Sequence, residues 1–323
     1  MSKVKGLKLV IMIPCLNEEK TLPLTLSTIP KKIPGISKIV ILVIDDGCTD
    51  KTVAVAKKNG VKHFVHHAKN RGLALSLRDA IRKSLELGAD IMVLTDGDNQ
   101  YPQQKIPALI KPIVDKKADI VIADRQTSKI SHFSPAKKLL QKLGTKVLNK
   151  VAGTNIPDAT SGFRAYSKEA AIKLNLVGRF NFAMEATVQA SYKRLAIETI
   201  KITTNPKTRE SRLFKSSFEH VRKSTVALFN AFTMYKSYAV FLTLSAILFI
   251  LGLLPFIHFL ILILSHSKNV YGSHHLQSLI TGTVLLNAAF ISLTLAIIAN
   301  LIRINRSMQE DILEEIRRLK YGD

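Results

Sequence analysis

The sequence predicts an α/β domain built on a mainly parallel sheet, followed by a pair of helices long enough to span a bilayer. Three observations carry that expectation. Short apolar runs alternate with helical patterns through the first two thirds of the 323-residue chain. Acidic turns follow two of those runs, and two long stretches, Ser237 to Ser267 and Val270 to Ile302, hold no Lys, Arg, Asp or Glu.

Residues 7–13, 39–44, 61–65, 91–95 and 120–123 are apolar runs of strand length. Between them, residues 21–29, 52–59, 73–87 and 106–114 carry helical patterns bounded by Gly, Pro or Asp. A helix over 135–151, a polar loop holding Asp158 to Arg164, a helix near 181–194 and a last strand over 197–203 complete a domain expected to cover residues 1–215. In open sheets of this class, ligands bind beyond the carboxyl ends of the strands. The segments of interest are therefore 14–19, 45–50, 66–72 and 96–100.

Phe218, Val221, Thr225, Leu228, Phe232 and Tyr235 recur every three or four positions, predicting an amphipathic helix over 216–236. Its apolar face suits the membrane interface, with Arg222 and Lys223 among the headgroups, or an ordinary protein core. Each uncharged stretch exceeds the ~20 apolar residues that cross a bilayer. They predict transmembrane helices over 238–264 and 276–302, inside a segment 237–303. The competing reading, a buried helix of a soluble core, fits two adjacent runs of this length poorly.

Seven Lys and Arg lie between residues 201 and 223, Lys236 abuts the first span, and Arg303 and Arg306 follow the second, whereas the connecting loop offers only Lys268. The positive-inside rule then places the α/β domain and both termini in the cytoplasm and the loop around Tyr271 outside. The run at 7–13 is short and ends at Pro14 without a small-residue cleavage pattern, so no cleavable signal peptide is expected. In the tail, 304–323, Met308, Ile312, Ile316 and Leu319 form a further stripe, and Glu314 and Arg318 are spaced for an ion pair. That tail suits packing on the α/β domain or on a second copy of the chain, as in a homo-oligomer.

Lys and Arg number 47 against 24 Asp and Glu, a net charge of +23. Such an excess implies an anionic partner: nucleic acid, a phosphorylated substrate or membrane lipids. Because the basic residues crowd the membrane boundary and no recognisable binding module is present, no specific nucleic acid is expected. The two cysteines, Cys15 and Cys48, each follow a predicted strand and are expected as free thiols.

The segment Thr95-Asp96-Gly97-Asp98-Asn99-Gln100 follows the apolar run at 91–94. Two carboxylates on one strand-end turn repel each other unless a cation sits between them and an oxygen-rich ligand. Mg2+ or Mn2+ bridging a diphosphate fits, since these ions take few protein ligands and complete their shell with phosphate and water. A solvated acidic turn is the plainer alternative. Asp45 and Asp46 end another predicted strand, where acidic side chains can accept hydrogen bonds from a ribose or nucleobase. Capping of the next helix by Thr49 or Asp50 competes with that reading. Asn70-Arg71-Gly72 precedes a helix and can offer amides to phosphate, but neither GxGxxG nor GxxxxGK[ST] is present.

The ordered series IPCLNEE, VIDDGCTD, NRGLALSLRDAI, TDGDNQYP, ADR, DATSGFRAYS and NPKTRESRLF resembles the family 2 glycosyltransferases of the GT-A fold. Within them it is most similar to the branch that glycosylates polyprenyl phosphates, over about residues 8–214. The resemblance implies that Pro14, Asn17, Glu18, Asp45 and Asp46 line the nucleoside pocket. Asp96, Asp98 and Gln100 match D-x-D-x-Q, whose residues hold the divalent ion and diphosphate. Arg125, Ser161, Arg164, Arg209, Ser211 and Arg212 match positions expected to meet phosphate near the acceptor, Arg164 among the catalytic groups, and Glu185 lies in a segment facing the site. Cys48 departs from the usual Ser, and Leu75 and Asp79 stand where glycines are common, which blurs the identity of the donor.

The implied reaction moves a sugar from a UDP- or GDP-linked donor to a polyprenyl phosphate with inversion, at the cytoplasmic membrane face. Other lipid acceptors, such as a lipid-linked saccharide or a diacylglycerol, and a non-catalytic membrane scaffold remain as alternatives. The processive polymer-forming branch needs Q-x-x-R-W, and the chain has no tryptophan.

Overall fold

Five consecutive residues, Leu9 to Ile13, are completely buried in strand β1 (Leu7–Cys15). A strand covered on both faces lies inside a sheet with helices on each side, and its near-continuous apolar run reflects that burial. The computed structural model describes residues 6–127, 135–176, 182–206, 217–265 and 273–322; for 135–141, 151, 217–236 and 273–275 it describes the backbone alone.

The remaining strands are β2 (Ile36–Asp45), β3 (His63–His66), β4 (Ile91–Leu94), β5 (Ile120–Asp124), β6 (Arg164–Ser167) and β7 (Ile197–Lys201). They form one sheet in the order β3-β2-β1-β4-β6-β5-β7. The connecting helices are α1 (Leu22–Ser27), α2 (Thr52–Lys58), α3 (Leu73–Glu86), α4 (Ile106–Val114), α5 (Pro135–Ala152), α6 (Lys168–Lys173) and α7 (Phe182–Tyr192). Leu9, Ile11 and Ile13 meet Leu22, Leu26, Leu109 and Ile110 in one buried cluster between the sheet and its helices. Full burial of each such side chain contributes about 1.5–3 kcal/mol.

The chain leaves β1 for β2 and β3 on one side and then crosses to β4 on the other. The strand order therefore reverses at the β1/β4 boundary, where ligands bind in sheets of this kind. Strand β6 departs from expectation. The segment read as a polar loop ends at Arg164, which begins a strand, β6, antiparallel to both neighbours. Four residues, RAYS, are too few to show a strand period, and the partners that make them a strand lie far away in sequence.

Beyond the sheet, α8 (Ser217–Leu264) and α9 (Ser273–Tyr321) are continuous helices. Among the described residues two helices are long and apolar enough to cross a membrane, Ser237–Leu264 with a mean hydropathy of 2.9 in an 18-residue window and Leu276–Tyr321 with 2.1. Leu264, Phe290 and Ile302 are exposed, as lipid-facing side chains are and those of a soluble core are not. The pair packs through small residues: Ser245 Oγ donates to Ala289 O at 2.8 Å and Ser292 Oγ to Phe241 O at 2.9 Å. A Cβ built on Gly282 would stand 2.9 Å from Gly252 O, so the backbones touch there.

The end of α9 lies against α6. Arg317 donates to the carbonyls of Ile172 (3.0 Å) and Leu174 (2.6 Å), orphaned at the C-terminus of α6. Arg318 grips both oxygens of Glu169 and also pairs with Glu314 at 2.7 Å. Arg318, and Lys173 after it, hold the Glu169 carboxyl down at about 2. Met308, Ile312, Ile316 and Leu319 are left exposed on the other face.

Candidate active site

The turn after β4 carries Asp96 and Asp98. Gln100 donates to Asp98 twice, from its backbone N to Oδ1 (3.0 Å) and from Nε2 to Oδ2 (2.9 Å). Gln100, expected beside the aspartates as a ligand, thus spends its amide nitrogen on orienting Asp98. Three further bonds brace the turn: Gln103 Nε2 donates to Thr95 Oγ1 at 2.9 Å, Thr25 Oγ1 to Gly97 O at 3.1 Å, and Asn205 Nδ2 to Asn99 O at 2.8 Å. Asn205 N also donates to Gln100 O (2.9 Å), which ties the segment after β7 to the acidic turn.

Because β6 runs antiparallel, its first residue pairs with the last residue of β4, Leu94 with Arg164. That register delivers the 158–163 loop to the acidic turn. A Cβ on Gly162 would come within 3.7 Å of Asp96 Oδ1, and Gly162 N donates to Tyr101 Oη at 3.0 Å. Tyr101 stacks on Phe163 at 5.2 Å between centroids, and burial pushes its phenol up to about 12, so it stays a neutral hydroxyl. On the other side, a Cβ on Gly97 would meet Cys15 Sγ at 3.1 Å, so the turn after β1 abuts the acidic turn directly.

Among the described residues no three His, Cys, Asp or Glu side chains converge as a metal-binding set. The candidate donor set is the pair of carboxylates on the turn after β4. That set fits a hard divalent cation whose remaining ligands are phosphate oxygens and water, and does not fit an ion held by protein alone.

The segments at the ends of β1 and β2 are laced together. Asn17, in the left-handed region at φ 57°, accepts from Thr49 N at 2.8 Å through Oδ1. Glu18 is buried; its backbone N donates to Thr52 Oγ1 (2.7 Å) and its Oε2 accepts from Thr21 (2.7 Å). Pro14 is half-buried in β1, paired with Ile44. Asp45 accepts from Cys48 N at 2.7 Å and lies 3.0 Å from His66 Nδ1. Partial burial works to raise the Asp45 carboxyl, but the Cys48 amide and His66 outweigh it and hold the group below its ordinary value. The Cys48 thiol is pushed up to about 11, chiefly by burial, and Cys15 rises for the same reason, which favours the protonated thiol in both.

Two basic residues expected to meet phosphate have partners within the domain. Arg164 is fully buried and its donors are spent inside the domain, on Ser161 O (2.7 Å), Ala159 O (2.6 Å) and Thr187 Oγ1 (3.1 Å). It shapes the 158–163 loop from within. Arg125 forms a two-pronged pair with Asp158, at 2.6 and 2.9 Å, and donates to Thr160 Oγ1 at 2.8 Å. Burial works to raise Asp158, yet Arg125 overrides it and holds the carboxyl low. Ser161 is buried beside them, its Oγ without a hydrogen-bond partner in the described structure. Glu185 is buried in α7, 3.3 Å from Gln189 Nε2. Arg209, Ser211 and Arg212 lie outside the described residues.

Asp158, Tyr101, Thr187 and Asn205 were not singled out from sequence. The quoted motifs contain three of them, but their partners are set by the antiparallel placement of β6, which no local pattern announces.

The matching family model is Glycosyl transferase family 2, over residues 10–174. The chain belongs to this family. It is similar to the undecaprenyl-phosphate mannosyltransferase of Micrococcus luteus, 26% identical over 204 residues, 61% of this chain and 82% of the relative. It is also similar to the dolichol-phosphate mannosyltransferase of Pyrococcus furiosus, 30% identical over 229 residues, 67% of this chain and 62% of that longer protein. In fold it is similar to glucosyl-3-phosphoglycerate synthase of Mycobacterium tuberculosis, solved with Mn2+, UDP-glucose and phosphoglyceric acid. That likeness has a TM-score of 0.53 at 19% identity over 70% of this chain and 80% of the other. The protein is thus a glycosyltransferase whose α/β domain has the GT-A fold.

Proposed function

We propose that the protein transfers a sugar from a UDP- or GDP-linked donor to a polyprenyl phosphate, with inversion, at the cytoplasmic face of a membrane. The observation that carries this reading is the acidic turn at the β1/β4 reversal, with the 158–163 loop on one side and the segment after β7 tied to its edge. The activities for which the Micrococcus luteus and Pyrococcus furiosus relatives are named support the acceptor class. The two apolar helices support a lipid acceptor over a soluble one.

Asp96 and Asp98 are the residues that would hold Mg2+ or Mn2+, with Asp98 aimed by Gln100. When bound, that ion would offset the charge growing on the departing diphosphate. Pro14, Asn17, Glu18, Asp45 and Asp46 surround the nucleoside end. An acceptor phosphate monoester, with a second ionisation near pH 6, is already anionic at neutral pH, so no strong general base is required. The protein's remaining task is to bring two anions together, which fixed cations do well. With Arg164 and Arg125 committed internally, that task falls to Arg209 and Arg212, with Ser211 and Ser161 as hydroxyl donors. The basic stretch holding them precedes the first apolar run in the sequence, and juxtamembrane cations attract anionic lipid headgroups. Both termini on the nucleotide side follow from the same charge distribution.

The test is mass spectrometry of the lipid product formed by purified protein from a panel of UDP- and GDP-sugars with polyprenyl phosphate. A glycosyl phosphoprenol is expected, and Asp98→Ala should abolish it while leaving membrane insertion intact. Unchanged transfer by Asp98→Ala removes the metal assignment, and product only with diacylglycerol or a lipid-linked saccharide removes the acceptor.

A further inference from the structure

At the carboxyl ends of β2 and β3 four side chains close on themselves. Asp46 Oδ1 accepts from Arg71 N (2.8 Å) and lies 2.8 Å from His67 Nδ1, while Oδ2 accepts from Gly72 N at 2.9 Å. The other ring nitrogen of His67 lies 3.2 Å from Asp79 Oδ2, and the Arg71 guanidinium donates to that same oxygen at 3.1 Å. The path runs from Asp46 through His67 and Asp79 to the Arg71 side chain and back through the Arg71 amide. Asp46, His67 and Asp79 are buried, whereas the Arg71 side chain is 41% exposed.

This circuit ties three elements: Asp46 follows β2, His67 follows β3, and Asp79 lies on α3. Gly47 adds a steric lock at φ 78°, since any Cβ there would sit 2.6 Å from the backbone of Lys69 and Asn70. Asp46 is thereby held from two sides, and the Asn70–Gly72 turn has one position. A buried ionic arrangement adds little net stability compared with apolar packing; its better-attested use is to select one geometry. Here the geometry selected is that of a carboxylate and a turn at the donor edge of the sheet.

We propose that Asp79 and His67 are positioning residues for the nucleotide half of the donor, acting through Asp46 and the Asn70–Gly72 turn without touching the sugar or the acceptor. This rests on the glycosyl-transfer reading above and deepens it. Their removal frees the turn and so weakens nucleotide binding ahead of any chemistry.

The experiment titrates the full-length protein in detergent micelles with UDP and GDP in the presence of Mn2+, without lipid acceptor. The proteins compared are wild type, Asp79→Asn, His67→Gln, the double variant and Arg71→Gln. Each single change should weaken binding of the preferred nucleotide roughly fivefold or more, within the range for members of one network, and the double should be no weaker than the poorer single. In turnover the donor KM should rise by the same factor while the acceptor KM holds. Variants that melt lower yet bind nucleotide as wild type does overturn the proposal and leave a purely structural circuit. Should Asp79→Asn fail to fold, Arg71→Gln, changed at the exposed member, carries the same test, and unaltered affinity there is equally fatal. Nucleotide binding without transfer to polyprenyl phosphate sinks the functional reading alone. Transfer with unaltered binding sinks this one alone, and binding of neither nucleotide by the wild type sinks both.

Discussion

Arg164 shows how burial fixes the partners of a charged side chain. A basic residue in a motif rich in Ser and Gly invites a phosphate, but this guanidinium is sealed in the domain and its three hydrogen bonds hold a loop. Burial holds its pKa below the ordinary arginine value, the direction expected for a charge without a carboxylate directly on it. Lys lacks the planar fork needed to reach two carbonyls and a hydroxyl at once. Arg164→Lys should therefore cost about 1–3 kcal/mol of stability, from buried acceptors left unpaired, and lower transfer by loosening the 158–163 loop. Thermal melts beside transfer assays check this. Lost transfer with an unchanged melting temperature would return Arg164 to the phosphate.

At the scale of elements, two placements decide what the chain can do. The antiparallel insertion of β6 between β4 and β5 swings Asp158, Ser161 and Gly162 to the carboxyl end of β4. Had this strand run parallel, the same residues would sit at the opposite edge of the sheet. The apolar helices are joined by close backbone contact at Gly252 and Gly282 and by two serine-to-carbonyl bonds. Without water to drive association, such helices depend on tight packing. Gly282→Leu forces a side chain into Gly252 O and Phe256 and should cost the hairpin about 1–3 kcal/mol, the usual penalty of overpacking. Resonance energy transfer between labels on the two helices in micelles should report their separation, and an unmoved distance contradicts this packing.

At the scale of the whole molecule, the net charge of +23 and the two candidate membrane helices meet in the sequence: Lys and Arg crowd residues 201–223, before the first apolar stretch, and Arg303 and Arg306 follow the second. That asymmetry sets the proposed orientation. A membrane-impermeant maleimide applied to intact cells should label Tyr271→Cys and should reach Leu319→Cys, 89% exposed, only after permeabilisation. The opposite pattern places the active site on the other side.

Alternating apolar runs, the ordered acidic motifs and two uncharged stretches were enough to anticipate the α/β class, the family and the apolar helices. The fold class and the helices are written locally, in side-chain period and run length, while the family rests on a resemblance carried by the order of its motifs. The position of the acidic turn after β4 was readable for the same reason, because both carboxylates lie on a few consecutive residues. What remained for the tertiary structure was pairing across distance: β6 beside β4, Arg125 on Asp158, Arg317 on the end of α6, and His67 between Asp46 and Asp79. A basic or acidic side chain reads the same in sequence whether it meets a ligand or a neighbour. Only the folded chain decides, by burying some charges against each other and leaving the rest to meet what binds.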